Sequence, residues 1–153
     1  MSALEFELPL RLVSESNRRD HWRTKARRAQ SQRATAFTAA SAYRRVHKVQ
    51  LPVRVHIQRT GKRLLDGDNL QSACKAVRDG IADAFQVTDA DERVIRFTYG
   101  QGFGVYGVRV SIEKLDIVQD FIDVVTSMCA RIYGRRAASN RAKKALAATQ
   151  EEP

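Results

Sequence analysis

In the run Leu65-Asp66-Gly67-Asp68-Asn69-Leu70, two carboxylates stand two positions apart where an extended segment enters a helix. Lys75 and Asp79 follow on that helix, and Asp89 and Asp91 come just after it. Elsewhere the chain is strongly basic, with 27 Lys and Arg against 17 Asp and Glu, a formal net charge of +10. Carboxylates gathered in such a chain make chemical sense if they hold a divalent cation beside a polyanion. Mg²⁺ prefers oxygen ligands, keeps several waters, and usually takes few protein carboxylates together with substrate phosphate. It then activates a water and neutralises charge developing on a scissile phosphodiester. Asp66 and Asp68 are the candidate ligands, and Asp91, or alternatively Asp89, is the third carboxylate that closes the site. Lys75 is placed to stabilise the transition state or the leaving oxygen electrostatically.

A plainer reading competes. Asp-Gly-Asp-Asn is also an ordinary turn and helix cap, because Asp and Asn accept bonds from orphan N–H groups. Asp79 serves equally well as an ion-pair partner for Arg78 or Lys75. The motif does not continue as a calcium EF-hand loop, since the later oxygen ligands and the final glutamate are missing.

The elements around the motif follow from hydrophobic periodicity. Residues 68–85 read as an amphipathic helix with Leu70, Ala73, Cys74, Val77, Ile81 and Ala84 as one apolar stripe. Asp68, Ser72, Lys75 and Asp79 fall on the opposite side. Residues 51–59 alternate as a strand, with His56 on its polar face. Thr60-Gly61-Lys62-Arg63 turns the chain and adds two cations just before the aspartates. Upstream, residues 4–13 read as a strand with Pro9 at an edge or bend. Ser14, Ser16 and Asn17 provide turn and N-cap chemistry for a helix from about Arg18 to Tyr43. Downstream, 93–99 and 105–113 read as strands, with Gly100, Gly102 and Gly104 suiting a hairpin between them.

Six cations open the first helix: Arg18, Arg19, Arg23, Lys25, Arg27 and Arg28, against the single acid Asp20. Charges of one sign cannot pair within the helix, which favours a phosphate-contacting surface over a merely solvated face. Lys62 and Arg63 extend that surface. Trp22, inside the cluster, reads as core rather than as a base-stacking platform.

Hydrophobic residues make up 43% of the 153, enough for a packed core and too many for a disordered chain. The positive balance points to nucleic acid before an anionic membrane. There is no apolar run of roughly 20 residues and no secretory signal at the N-terminus. Cys74 and Cys129 read as small apolar residues in a reducing compartment. The order strand, helix, strand, helix, strand, strand gives a mixed α+β domain with helices on one face of a small sheet. Residues 1–115 form this domain, 116–133 a further helix, and 134–153 a basic, flexible tail.

The run Asp66-Gly-Asp68-Asn69-Leu70, a lysine on the following helix, and Asp91 with Val94 opening the next strand resemble the RusA-type Holliday-junction resolvases of bacteria, phages and prophages. The opening, Leu8-Pro9-Leu10 and a Ser/Asn turn before a basic stretch, is also similar, so the resemblance spans roughly 5–113. It implies a RusA-like fold and a homodimeric endonuclease that cuts four-way DNA junctions in recombination and repair. It further implies Mg²⁺, with Mn²⁺ as a substitute, and a bacterial or phage-infected cytoplasm. By the match, Asp66, Asp68 and Asp91 are metal carboxylates, Asp89 the alternate, and Lys75 the catalytic lysine. Two features depart from the pattern. Ser72 stands where the family lysine falls, and Lys75 comes about 4.5 Å further along the same face. The compact resolvases also lack the extension after Glu113. The alternatives are a non-catalytic DNA-binding module on the same fold and a general nuclease without junction preference.

Overall fold

The computed structural model describes residues 4–14 and 19–116. The chain divides into two compact units, Met1–Leu115 and Asp116–Pro153, and the described helices and strands belong to the first. The expected C-terminal helix and basic tail lie outside the described residues. The elements in chain order are β1 (Leu4–Leu8), α1 (Trp22–His47), β2 (Val53–Gly61), α2 (Gly67–Phe85), β3 (Ile95–Phe103) and β4 (Gly107–Lys114). This is a mixed α+β architecture with a four-stranded mixed sheet and two helices. Among the described residues, no helix is long and apolar enough to cross a membrane.

One core holds it together. Val53, Val55 and Ile57 of β2, Val108, Val110 and Ile112 of β4, and the buried stripes of both helices belong to a single cluster. All six apolar positions expected on α2 are buried. Cys74 among them is fully enclosed, and burial pushes its thiol up to about 12, opposed by the nearby charge of Arg59. His56 lies on the polar face of β2, against Thr98 Oγ1 at 2.9 Å.

The sheet order is β1-β4-β2-β3, so β3 and β4 do not form the expected hairpin. β3 runs parallel to β2, and β4 lies antiparallel on the other side of it. Residues 104–106 therefore hop over the end of β2, a gap of about 10 Å between strands two apart. The Gly104 N–H donates to Gly61 O at 3.1 Å, and Thr60 Oγ1 donates to Val105 O at 2.7 Å. A short glycine-rich link serves either connection. β2 and β4, each with an alternating apolar face, take the two interior places because burial there removes the most apolar surface from water.

α1 starts later than its composition suggests. Its N-cap is His21, whose side chain accepts from the Arg23 N–H, rather than Ser14 or its neighbours. Trp22 is not core: at the first turn it is 66% exposed. Gln32, Ala36, Ala40 and Tyr43 form the narrow buried stripe that meets α2. The helices approach closely at Gly80, where an added Cβ would collide with the Arg33 carbonyl and lie 3.0 Å from Ala36 Cβ. Arg33 clamps the same spot through Asp83 at 2.7 Å. Gly80→Ala should therefore destabilise the protein by about 1–3 kcal/mol, overpacking outweighing alanine's better helix propensity. Urea unfolding measures it, and a rise in midpoint would refute the close packing.

Candidate active site and nucleic-acid interface

Asp66 and Asp68 sit where β2 ends and α2 begins, both exposed. Asp66 is the helix N-cap: Oδ1 accepts from the Asn69 backbone N–H and Oδ2 from Asn69 Nδ2, each at 2.9 Å. Asp68 lies in the first helical turn. Negative charge is favoured there by the unpaired N–H groups and the helix dipole.

Three side chains brace this turn, two of them from distant parts of the chain. Ser14 Oγ donates to Asn69 Oδ1 at 2.6 Å. Gln101 of β3 grips the backbone of Leu65 twice: its Nε2 donates to the carbonyl at 2.6 Å and its Oε1 accepts from the N–H at 2.8 Å. Arg59 is 3% exposed. Its Nη1 donates to Arg63 O at 2.9 Å and its Nε to Leu12 O at 3.1 Å. None of the three is among the site residues expected from sequence. Arg59 left a signal, since it falls on the buried parity of Val53, Val55 and Ile57. Ser14 reads only as turn and cap chemistry ahead of α1, and Gln101 left no signal, because their partners are remote in sequence.

The other expected residues lie elsewhere. Asp89 and Asp91 follow the C-terminus of α2, whose 19 residues span about 28 Å. Within one chain, neither can share an ion with Asp66 and Asp68. Asp91 instead turns back on Arg93, accepting from Nε at 3.0 Å, and this hydrogen bond holds its carboxyl below the usual range. Asp89 pairs with Arg78 at 2.8 Å. Lys75 points along the helix to Asp79 at 3.1 Å, and Arg78 lies 3.6 Å from the same carboxylate, both ion pairs anticipated for Asp79. Lys75 thus stands about 10 Å along the axis from Asp68. Among the described residues, no three His, Cys, Asp or Glu side chains gather as one metal-binding group.

The cations divide similarly. Lys62 and Arg63 are exposed on the loop that leads into Asp66. Arg19, Arg23 and Arg27 are exposed and Lys25 is half-buried. Arg28 has an ion pair with Asp20 at 2.7 Å, so one charge of the cluster is answered locally. Arg18 lies outside the described residues. Segment 9–14 links this basic start of α1 to the aspartate turn, through Gln32 Nε2 to Arg11 O at 3.4 Å and through the Leu12 and Ser14 bonds above. Between segment and helix lies an open depression of about 600 Å³, bordered by Arg11, Arg27 and Arg28.

No family model matches the chain. Over 33 residues it is 58% identical to an uncharacterized protein of Mycobacterium bovis and to one of Mycobacterium tuberculosis strain H37Rv. The match covers 22% of this chain and 11% of each relative.

Proposed function

We propose that the chain is a metal-dependent, structure-selective endonuclease of RusA type that cuts branched DNA, with the four-way junction as its substrate. The observation that carries this reading is the braced presentation of Asp66 and Asp68. Arg59 and Gln101 fix the backbone just ahead of two exposed carboxylates, and Ser14 holds the Asn69 side chain just after them, more restraint than a helix cap requires. The donor set suits the metal: hard oxygen ligands, few in number, open to solvent and to substrate phosphate, as Mg²⁺ or Mn²⁺ prefers. Once bound, the ion supplies an activated water and charge neutralisation at the phosphodiester. Lys62, Arg63 and the start of α1 hold the DNA backbone and steer its approach.

A homodimer fits twice over. Symmetric cutting needs two equivalent sites, which a two-fold interface provides. It would also answer the separation of the carboxylates, if the interface sets Asp91 of a second copy beside Asp66 and Asp68, which Asp91 of the same chain cannot reach.

The test is cleavage of a synthetic mobile junction against matched linear duplex, with and without Mg²⁺. Paired nicks on the junction alone, lost without metal and in Asp68→Asn, are expected. Mixing inactive Asp68→Asn and Asp91→Asn proteins should then restore part of the activity, since one site of the mixed dimer keeps all its carboxylates. A site built within one chain would stay dead in the mixture. Equal cutting of both substrates would make the protein a general nuclease. The second reading, a DNA-binding module without catalysis, draws on the cap that Asp66 forms, and it predicts binding that no aspartate substitution alters.

A further inference from the structure

Where β3 passes into its connection to β4, two apolar side chains stand exposed. Phe103 is 74% exposed and Val105 88%. They are not part of a broad apolar face; they crown a tip three residues long. The tip is also stiff. Gly104 N–H is bonded to Gly61 O, and Thr60 Oγ1 holds the carbonyls of Val105 and, at 3.2 Å, Gly107. Exposed apolar groups on a rigid, narrow projection suit insertion into a partner better than they suit a flat protein contact.

Its surroundings identify the partner. Side chains alternate along a strand, so Phe103 shares the face of Gln101, two residues earlier. Gln101 is the residue that grips Leu65, next to Asp66. In the ladder Phe103 lies opposite Gly61, and exposed Lys62 and Arg63 follow at once. An aromatic ring thus stands beside two cations, at the same end of the sheet as the candidate catalytic carboxylates. Stacking rings flanked by cations is how proteins hold unstacked bases, the ring taking the base and the cations the phosphates. Apolar wedges likewise part base steps in duplex DNA.

We propose that Phe103, backed by Val105, is a wedge that stacks on a base at the branch point of DNA and holds it out of the helical stack. This deepens the endonuclease reading and rests on it for the substrate, while making a separate physical claim. The wedge would favour junctions over linear duplex, because a base at a branch point has already lost part of its stacking.

The test uses the full chain with Asp68→Asn to prevent cutting, and a four-way junction carrying 2-aminopurine at its centre. Binding should raise the fluorescence several-fold, as unstacking does. Phe103→Ala should abolish the rise and weaken junction binding about tenfold or more, with the salt dependence unchanged. Phe103→Tyr should restore both. Lys62→Gln should instead lower the salt slope, marking it as a phosphate contact. The ring is exposed, so Phe103→Ala leaves the melting temperature unmoved and a folding defect would be visible. An unchanged fluorescence rise in Phe103→Ala would overturn the wedge, even if the wild type cuts junctions with Mg²⁺. Failure of the Asp68→Asn protein to bind the junction would overturn it too. Loss of the rise in Phe103→Ala, beside a wild type that never cuts, would sustain the wedge and sink the nuclease.

Discussion

Asp66→Asn is expected to abolish DNA cleavage while leaving the fold nearly as stable as the wild type. The carboxylate serves two purposes that this substitution separates. As a cap, Asp66 accepts from the Asn69 backbone N–H at 2.9 Å. Asparagine caps as well as aspartate does, so that bond survives. What is lost is the charge near the helix N-terminus, about 0.3–1 kcal/mol at an exposed position, and the acceptor for Asn69 Nδ2, which can rotate to water. As a metal ligand, the carboxylate is replaced much more poorly by the neutral amide oxygen, which brings no charge to the divalent ion. Losing the ion forfeits several kcal/mol of transition-state stabilisation, or about 10³-fold in rate. Asp66→Ala makes the complementary comparison, removing cap and ligand together and adding about 1 kcal/mol of destabilisation. Urea unfolding and junction cleavage on the three proteins decide the matter. If Asp66→Asn cuts at the wild-type rate, the aspartate is a cap and the metal site is wrong.

Local chemistry was legible in the residues, and assembly was not. The α2 stripe from Leu70 to Ala84, the alternation of β2 and the pairing of Asp79 with Lys75 and Arg78 all depend on neighbours within a turn or two. Periodicity reports such relations directly. The place of β4 between β1 and β2 depends on which strand buries the most apolar surface, and residues 100–107 are compatible with a hairpin or a hop. Trp22 misled for a related reason: a large apolar residue is usually buried, but here the chain enters α1 through His21 and the first turn stands clear of the core. The separation of the carboxylates was available in principle. A helix of 19 residues between Asp66 and Asp91 puts them at opposite ends of α2. The bracing by Ser14 and Gln101 could not be read, since each acts across a long stretch of chain on a group of no distinctive type.

Arg59→Met should lower both stability and cleavage. Methionine fills much of the same space, so the loss is mainly polar. Two carbonyls are left without their donor, each carrying a penalty of about 1–3 kcal/mol where water cannot replace it. Arg63 is exposed and its carbonyl can turn to solvent, whereas Leu12 is fully buried and its carbonyl keeps most of the penalty. Against this, the substitution removes a buried guanidinium whose desolvation opposes folding. The hydrogen bonds should win, because this one fork ties segment 9–14 to the loop before Asp66. The net loss should be about 1–3 kcal/mol. Cleavage should fall about 10–100-fold, as it does when groups that orient ligands are removed, with the Mg²⁺ requirement shifted to higher concentration. Arg59→Lys, which reaches one carbonyl but not both, should fall between. A variant as stable as wild type but slow to cut would make Arg59 purely a positioning residue. One that is more stable and equally active would show that its buried charge outweighs the two bonds, and the case for a deliberately braced aspartate turn would lose its strongest member.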